Sequence, residues 1–252
     1  MKERLIHQAA ARRAVGHDKK RAAVKQVPNT LLAILLLILP GLTSLQAETP
    51  SAQEILSQVR LQQSQQQLDL MGQLRSDATV VPFRITQTGP FIRYTFFQPP
   101  EVLQLKLGEN GSRLDLVHET STSKFSASRL GEKIAGTGVT YGDLALKFLY
   151  WPKAEVLGSD TLRTRSCWKL RLFAPAKDAQ YGVVLLWVDK ESGAIMRMEG
   201  CNFQGQLVKR FEVVSAQKIE GRWFLKQMRI EQIVPGTDKV QSRSYLEIKR
   251  PE

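Results

Sequence analysis

From Val80 to the end of the chain, apolar side chains recur at every second position in short runs, separated by residues that favour tight turns. Val80–Thr88 and Phe91–Gln98 read as a hairpin about Gly89-Pro90. Glu101–Leu107 and Ser112–His118 form a second, joined through Gly108-Glu109-Asn110-Gly111. Lys124–Leu130 and Arg165–Ala174 follow as strands. Tyr181–Asp189 then turns through Lys190-Glu191-Ser192-Gly193 into Ala194–Asn202. Gln206–Lys218, Trp223–Val234 and Ser242–Lys249 complete the series. Period two puts alternate side chains on opposite faces, and loops this short join antiparallel neighbours. The chain therefore has to build an antiparallel sheet.

Two stretches break the pattern. Residues 50–75 have helical spacing, with Ser51 or Thr49 as cap, Glu54 three residues after Ser51, and an apolar stripe through Ile55, Val59, Leu61, Leu68, Leu70 and Leu74. Tyr141–Tyr150 repeats at helical spacing through Leu144, Phe148 and Leu149 and stops at Pro152. With no βαβ alternation, the class is α+β: one large curved antiparallel sheet with an N-terminal helix and a short helical lid.

Upstream lies a segment of different character. Arg12, Arg13, Lys19, Lys20, Arg21 and Lys25 precede the apolar run Leu31–Leu39, after which come Pro40, Gly41, the small residues Thr43 and Ser44, and Leu45-Gln46-Ala47 as the cleavage site. This has the three parts of a secretory signal, and the 15 residues from Leu31 to Leu45 fall short of the roughly 20 that span a bilayer. The expected organisation is a signal peptide over 1–47, cleaved near Ala47, and one domain over 48–252 working in the periplasm. An uncleaved anchor is the alternative. Half of the formal charge of +12 sits in the leader, with eight Lys/Arg against two Asp/Glu. The remaining excess is spread thinly, which argues against nucleic acid and leaves at most a weak attraction to anionic headgroups.

Few residues here could do chemistry. His118 is the one histidine beyond the leader, no Ser stands in a Gly-x-Ser-x-Gly elbow, and Gly136-x-Gly138 lacks a third glycine. Asp143 reads as a first-turn helix residue favoured by the helix dipole. Asp115, Glu119, Asp189 and Glu191 could meet as paired carboxylates, though their spacing does not require it. There is no cluster for a metal, and no cofactor is expected. Cys167 and Cys201 fall on strands two places apart, too far for a disulfide, and are expected as half-buried thiols. No enzyme activity is expected.

The apolar inventory points elsewhere. A curved sheet over two helices leaves a concave apolar cleft suited to an acyl chain or an apolar peptide. Its candidate lining is Phe83, Phe91, Tyr94, Phe96, Leu103 and Leu105 from the early strands, Leu144 and Phe148 from the lid, and Leu186 and Phe211 from the late strands. Trp151, Trp168, Trp187 and Trp223 are candidates for its rim.

Several blocks carry a resemblance: Leu107–Leu114 (LGENGSRL), Thr140–Pro152 (TYGDLALKFLYWP), Leu186–Gly193 (LWVDKESG), Lys209–Val214 (KRFEVV) and Gly221–Leu225 (GRWFL). In these the chain resembles the LolA-like superfamily of periplasmic outer-membrane lipoprotein carriers. It resembles most its branch of lipoprotein-sorting proteins with a domain of unknown function. The resemblance implies an unclosed half-barrel of about eleven strands, capped by helices around an apolar cavity. It also implies an early-strand arginine holding the lid, for which Arg84 and Arg93 are the candidates by region. The expected function is a carrier or binding protein for lipid or lipoprotein acyl chains in outer-membrane lipoprotein sorting. Donor and acceptor proteins at the inner and outer membranes would be its partners. The alternative is a non-catalytic envelope interaction module with no lipid cargo.

Overall fold

A computed structural model describes residues 49–219 and 221–249; the expected leader lies outside them. The chain enters through helix α1 (Ala52–Ser64), closed at its start by a capping box. Ser51 Oγ accepts from the Glu54 backbone N–H at 3.3 Å, and the Glu54 carboxylate accepts from the Ser51 N–H at 2.7 Å. The helix does not run to residue 75 as its spacing predicts. It stops in the Gln-Ser stretch, and Gln67–Ser76 is strand β1. There Leu68, Leu70, Gly72 and Leu74 alternate inward, and pairing with a neighbour on each side outweighs the helical option.

A meander of hairpins follows: β2 (Val80–Thr88), β3 (Phe91–Phe97), β4 (Pro100–Leu107), β5 (Ser112–Val117) and the short β6 (Thr122–Lys124). The strand expected over Lys124–Leu130 ends early, because Phe125 turns into the core and a 3-10 turn, Ala127–Arg129, takes over. The chain then crosses the sheet. In the crossing, the helix expected over Tyr141–Tyr150 is two short pieces. α2 (Tyr141–Leu144) and a 3-10 turn (Lys147–Tyr150) are separated by Leu146 in the left-handed region, φ 51°.

A second meander begins with β7 (Lys153–Leu162), which the sequence pattern did not predict. It continues through β8 (Arg165–Phe173), β9 (Val183–Asp189), β10 (Ile195–Cys201), β11 (Leu207–Ile219), β12 (Arg222–Ile233) and β13 (Val240–Ile248). All pairings are antiparallel, and the order is β6-β5-β4-β3-β2-β1-β13-β12-β11-β10-β9-β8-β7. The β1–β13 pair, with Gly72 opposite Ile248, stitches the two meanders into one sheet of thirteen strands. β6 and β7 remain as open edges, so the sheet is an unclosed half-barrel. Cys167 and Cys201 are buried free thiols with β9 between their strands.

Candidate functional site

Alternation sorts the sheet into two unlike faces. The outer face carries charge. Glu212 is shared by Arg197 and Arg229, and Glu231 by Arg210, Arg229 and Arg243. The inner face is apolar and is covered by two elements of the chain itself. Over β1–β5 and β12–β13 lies the crossing segment, residues 125–151, a strap between the two sheet edges. Phe125, Ile134, Val139, Tyr141 and Ala145 of the strap pack on Leu74, Phe83, Phe96, Leu103 and Leu105. Over β8–β10 lies α1, whose Ile55, Leu56 and Val59 join Phe148, Leu149 and Trp151 against Leu170, Leu172, Val184 and Leu186. Phe211 on β11 touches both clusters. Burial of this many large side chains is the dominant stabilising term, at roughly 1.5–3 kcal/mol each.

Polar bonds fix the strap at separate points. Asp143, in the first turn of α2, forms a buried ion pair with Lys209 of β11 at 2.5 Å, their side chains 3% and 6% exposed. The same carboxylate accepts from Tyr181 Oη at 2.7 Å, Gln180 Nε2 at 2.8 Å and the Thr140 backbone N–H at 2.8 Å. Its oxygens are thus committed to donors, which suits an anchor and not a general acid or base. Farther along, Gly138 N–H donates to Ser244 Oγ at 2.8 Å, and Tyr141 Oη donates to Glu101 at 2.6 Å. α1 is tied to the end of the strap through Arg60 to the Leu149 carbonyl (2.6 Å) and Gln53 to the Trp151 carbonyl (3.0 Å). Burial pushes the Tyr181 hydroxyl well above its ordinary pKa, and the nearby Asp143 adds to this. Burial and the bond to Glu101 push Tyr141 up to about 12. Both phenols therefore stay protonated donors at neutral pH.

The expected lining residues are largely brought together. Phe83, Phe96, Leu103 and Leu105 lie in the first cluster with Tyr94 and Leu144 against them, and Phe148 and Leu186 lie in the second. Three expected residues face the other way. Phe91 is outward and 42% exposed, beneath Lys106 Nζ at 5.7 Å, since Ile92, Tyr94 and Phe96 take the inward parity of β3. Arg84 and Arg93 are also outward; Arg84 pairs with Asp69 on β1, and Arg93 bonds Gln104 on β4 at 3.3 Å. Among the described residues, Lys209 is the cation that reaches from sheet to strap. Of the tryptophans, Trp151 is core, Trp187 is buried on the outer face bonding Asp160, and Trp168 lies against the α1 cluster. Trp223 is 72% exposed.

Free volume beside these clusters is modest. A pocket of about 60 Å³ lies between α1 and β8–β9, near Ile55, Val59, Trp168 and Val188. An open cleft of about 300 Å³ lies beside the anchor, lined by Tyr181, Lys209, Gln232, Ile233 and Gln241. Of the carboxylates that could have formed a pair, Asp189 and Glu191 meet only through a shared arginine. Asp189 takes both nitrogens of an Arg165 fork, which Glu191 also meets, while Asp115 sits in the other meander against Arg113. Among the described residues no group of three or more His, Cys, Asp or Glu could hold a metal ion.

A thirteen-stranded open sheet wrapped over a helix and a strap is an unclosed half-barrel, and solved structures share the fold. A domain from Vibrio parahaemolyticus named for outer membrane lipoprotein sorting superposes with a TM-score of 0.60 at 13% identity, covering 79% of this chain and 90% of its own. A DUF1329 family protein from Desulfovibrio piger gives 0.58 at 17% identity over 79% and 90%. A LolA superfamily protein from Nitrosomonas europaea gives 0.55 at 16% over 80% and 93%. The model of a family described only as "Uncharacterized protein" matches residues 118–251, more than half of the chain, and the chain belongs to that family. No curated protein matches it.

Proposed function

We propose that this is a periplasmic carrier or binding protein for the acyl chains of lipids or lipoproteins, taking part in outer-membrane lipoprotein sorting. It would be made with a leader over 1–47 that is removed near Ala47, leaving the domain over 48–252. One observation carries the reading: the apolar inner face is covered, over its first half, by a strap that belongs to no strand of the sheet. An acyl chain gains about 0.8 kcal/mol per buried CH₂. On the inner face it would take over surface now covered by Phe125, Ile134 and Val139, exchanging one apolar contact for another. The polar anchors at Asp143, Gly138 and Tyr141 then set the cost of opening. The named role of the Vibrio domain supports the same reading. No catalytic step is proposed.

A second reading is a protein-interaction module without lipid. It is favoured by the dense filling of the inner face, where Leu103, Leu105 and Leu186 are fully buried by the chain's own residues. Native mass spectrometry of protein purified from an envelope fraction, with lipid extraction of the same sample, separates the two. The carrier reading expects a bound mass that disappears on extraction and matches a lipid or acylated peptide. An empty protein that also takes up no fluorescent fatty acid would overturn it.

A further inference from the structure

The hairpin of β11 and β12 outruns its neighbours. β10 pairs with β11 only as far as Glu212, and β13 pairs with β12 only as far as Gln227. Beyond those rows the two strands continue, paired to each other alone, to Ile219 opposite Arg222. At about 3.3 Å per residue, this arm runs on for roughly 20 Å. Its inner side is anchored, since Ile219 and Phe224 pack on the first core cluster. Its outer side presents Trp223, which stands directly opposite Lys218 and is 72% exposed. Lys249, exposed and outward because Ile248 before it is inward, bonds through its backbone to Met71, itself 44% exposed on the outer face, whereas Arg222, opposite Ile219 and over the Phe224 ring at 5.6 Å, has the inward parity. Lys218 and Lys249 are thus exposed cations on the side of Trp223. The acids of the adjoining strands are already occupied: Asp69 by Arg84 and Glu247 by Arg75.

A tryptophan this exposed loses contact with water only when something covers it. A ring whose body is apolar and whose N–H stays polar, set beside exposed cations, matches the boundary of a bilayer rich in anionic headgroups. We propose that this arm docks the protein on anionic phospholipid bilayers, with Trp223 seated among the headgroups and Lys218 and Lys249, on the same outer side, against the phosphates. The site uses the outer side of the arm and none of the inner face, so it stands independently of acyl-chain carriage.

The test is co-sedimentation of protein purified from the envelope fraction with vesicles of phosphatidylglycerol and phosphatidylethanolamine, against vesicles of phosphatidylcholine. Wild type is expected on the anionic vesicles alone, with binding that weakens as salt rises. Trp223→Ala is expected to weaken it about tenfold, and each of Lys218→Gln and Lys249→Gln roughly fivefold. Thermal unfolding of the variants should match wild type, because these side chains are exposed. Equal binding to both vesicle types, no binding, or a Trp223→Ala protein that binds as wild type would each overturn the proposal. So would a protein partner lost on Trp223→Ala when vesicles are not bound. Fatty-acid uptake measured on the same samples keeps the two functions apart. Uptake without docking removes the arm's role alone, and docking without uptake removes carriage alone.

Discussion

Replacing Lys209 with Met tests whether the strap is held by its buried ion pair. The substitution removes a cation that is 6% exposed and leaves Asp143, 3% exposed, without a counter-ion. Stranding a buried charge costs about 3–5 kcal/mol. Donors from Tyr181, Gln180 and Thr140 remain on the carboxylate, which places Lys209→Met near the lower end, about 3 kcal/mol. Asp143→Asn leaves Lys209 with at most a neutral amide oxygen and the Phe211 ring at 5.5 Å, and puts an amide N–H₂ among the donors that the carboxylate had accepted from, so it belongs nearer the upper end, about 5 kcal/mol. In a domain of this size that is a fall in Tm of roughly 6–20 °C. The double variant carries neither charge and should be more stable than the sum of the two losses predicts, by at least about 1 kcal/mol. Denaturant unfolding of all four proteins closes that cycle, and hydrogen exchange locates the loss. Residues 125–151 should exchange faster while β11 and β12 keep their protection. Two losses below about 0.5 kcal/mol that simply add, or protection lost in the sheet and kept in the strap, would refute the anchor.

Two further outcomes follow from the same geometry. Glu247 accepts from Gln73 at 2.7 Å, Arg75 at 2.8 Å and Gln227 at 3.0 Å, and its pKa falls from 4.5 to about 2, the bond from Arg75 being the largest cause. A carboxylate lowered in the folded state contributes stability above its unfolded pKa. Because Arg75 is partly exposed and screened by solvent, on the order of 1 kcal/mol is present at neutral pH and is lost as pH falls from about 4.5 toward 2. Urea midpoints should therefore drop across that window in wild type and much less in Glu247→Gln; identical slopes would count against the assignment. At Gly200 on β10, an added Cβ would sit inside contact distance of the Tyr181 ring. Gly200→Ala should displace Tyr181 from Asp143, cost about 1–3 kcal/mol and speed exchange in the strap, and an unchanged exchange pattern would be the contrary result.

The elements legible in the sequence are those where alternation has one solution. Val80–Thr88 forms as expected because Val81, Phe83, Ile85 and Gln87 all take the inward parity, while the exposed residues of the strand have the other. β1 was hidden for a specific reason. Its inward series runs Leu68, Leu70, Gly72, Leu74, and the glycine erases the side chain that would have revealed period two. The space it leaves is filled by Phe83, whose ring would lie 2.7 Å from a Cβ at Gly72. β7 was hidden because it is an edge, half-exposed along its length, with a register shift between Val156 and Gly158 that reverses its faces. Parity also explains the site. Ile92, Tyr94 and Phe96 exclude Phe91 from the interior, and the same rule sends Arg84 outward. Lys209 shares the inward parity of Phe211 and Val213, and that was the available signal for it. Its partner Asp143 lies 66 residues away, a distance that no local pattern spans.

The strap joins β6 to β7, the two free edges of the open sheet, so it is fastened at both ends. A flap hinged at one end can swing clear without disturbing its frame; a belt cannot. It can only bow outward, at the price of contacts along its whole length, or slacken as the two rims of the half-barrel approach. The aperture of the interior and the curvature of the sheet are thus one mechanical variable. Anything that enters beneath the belt must register as a change in the separation of the rims, and anything that grips a rim must be felt inside.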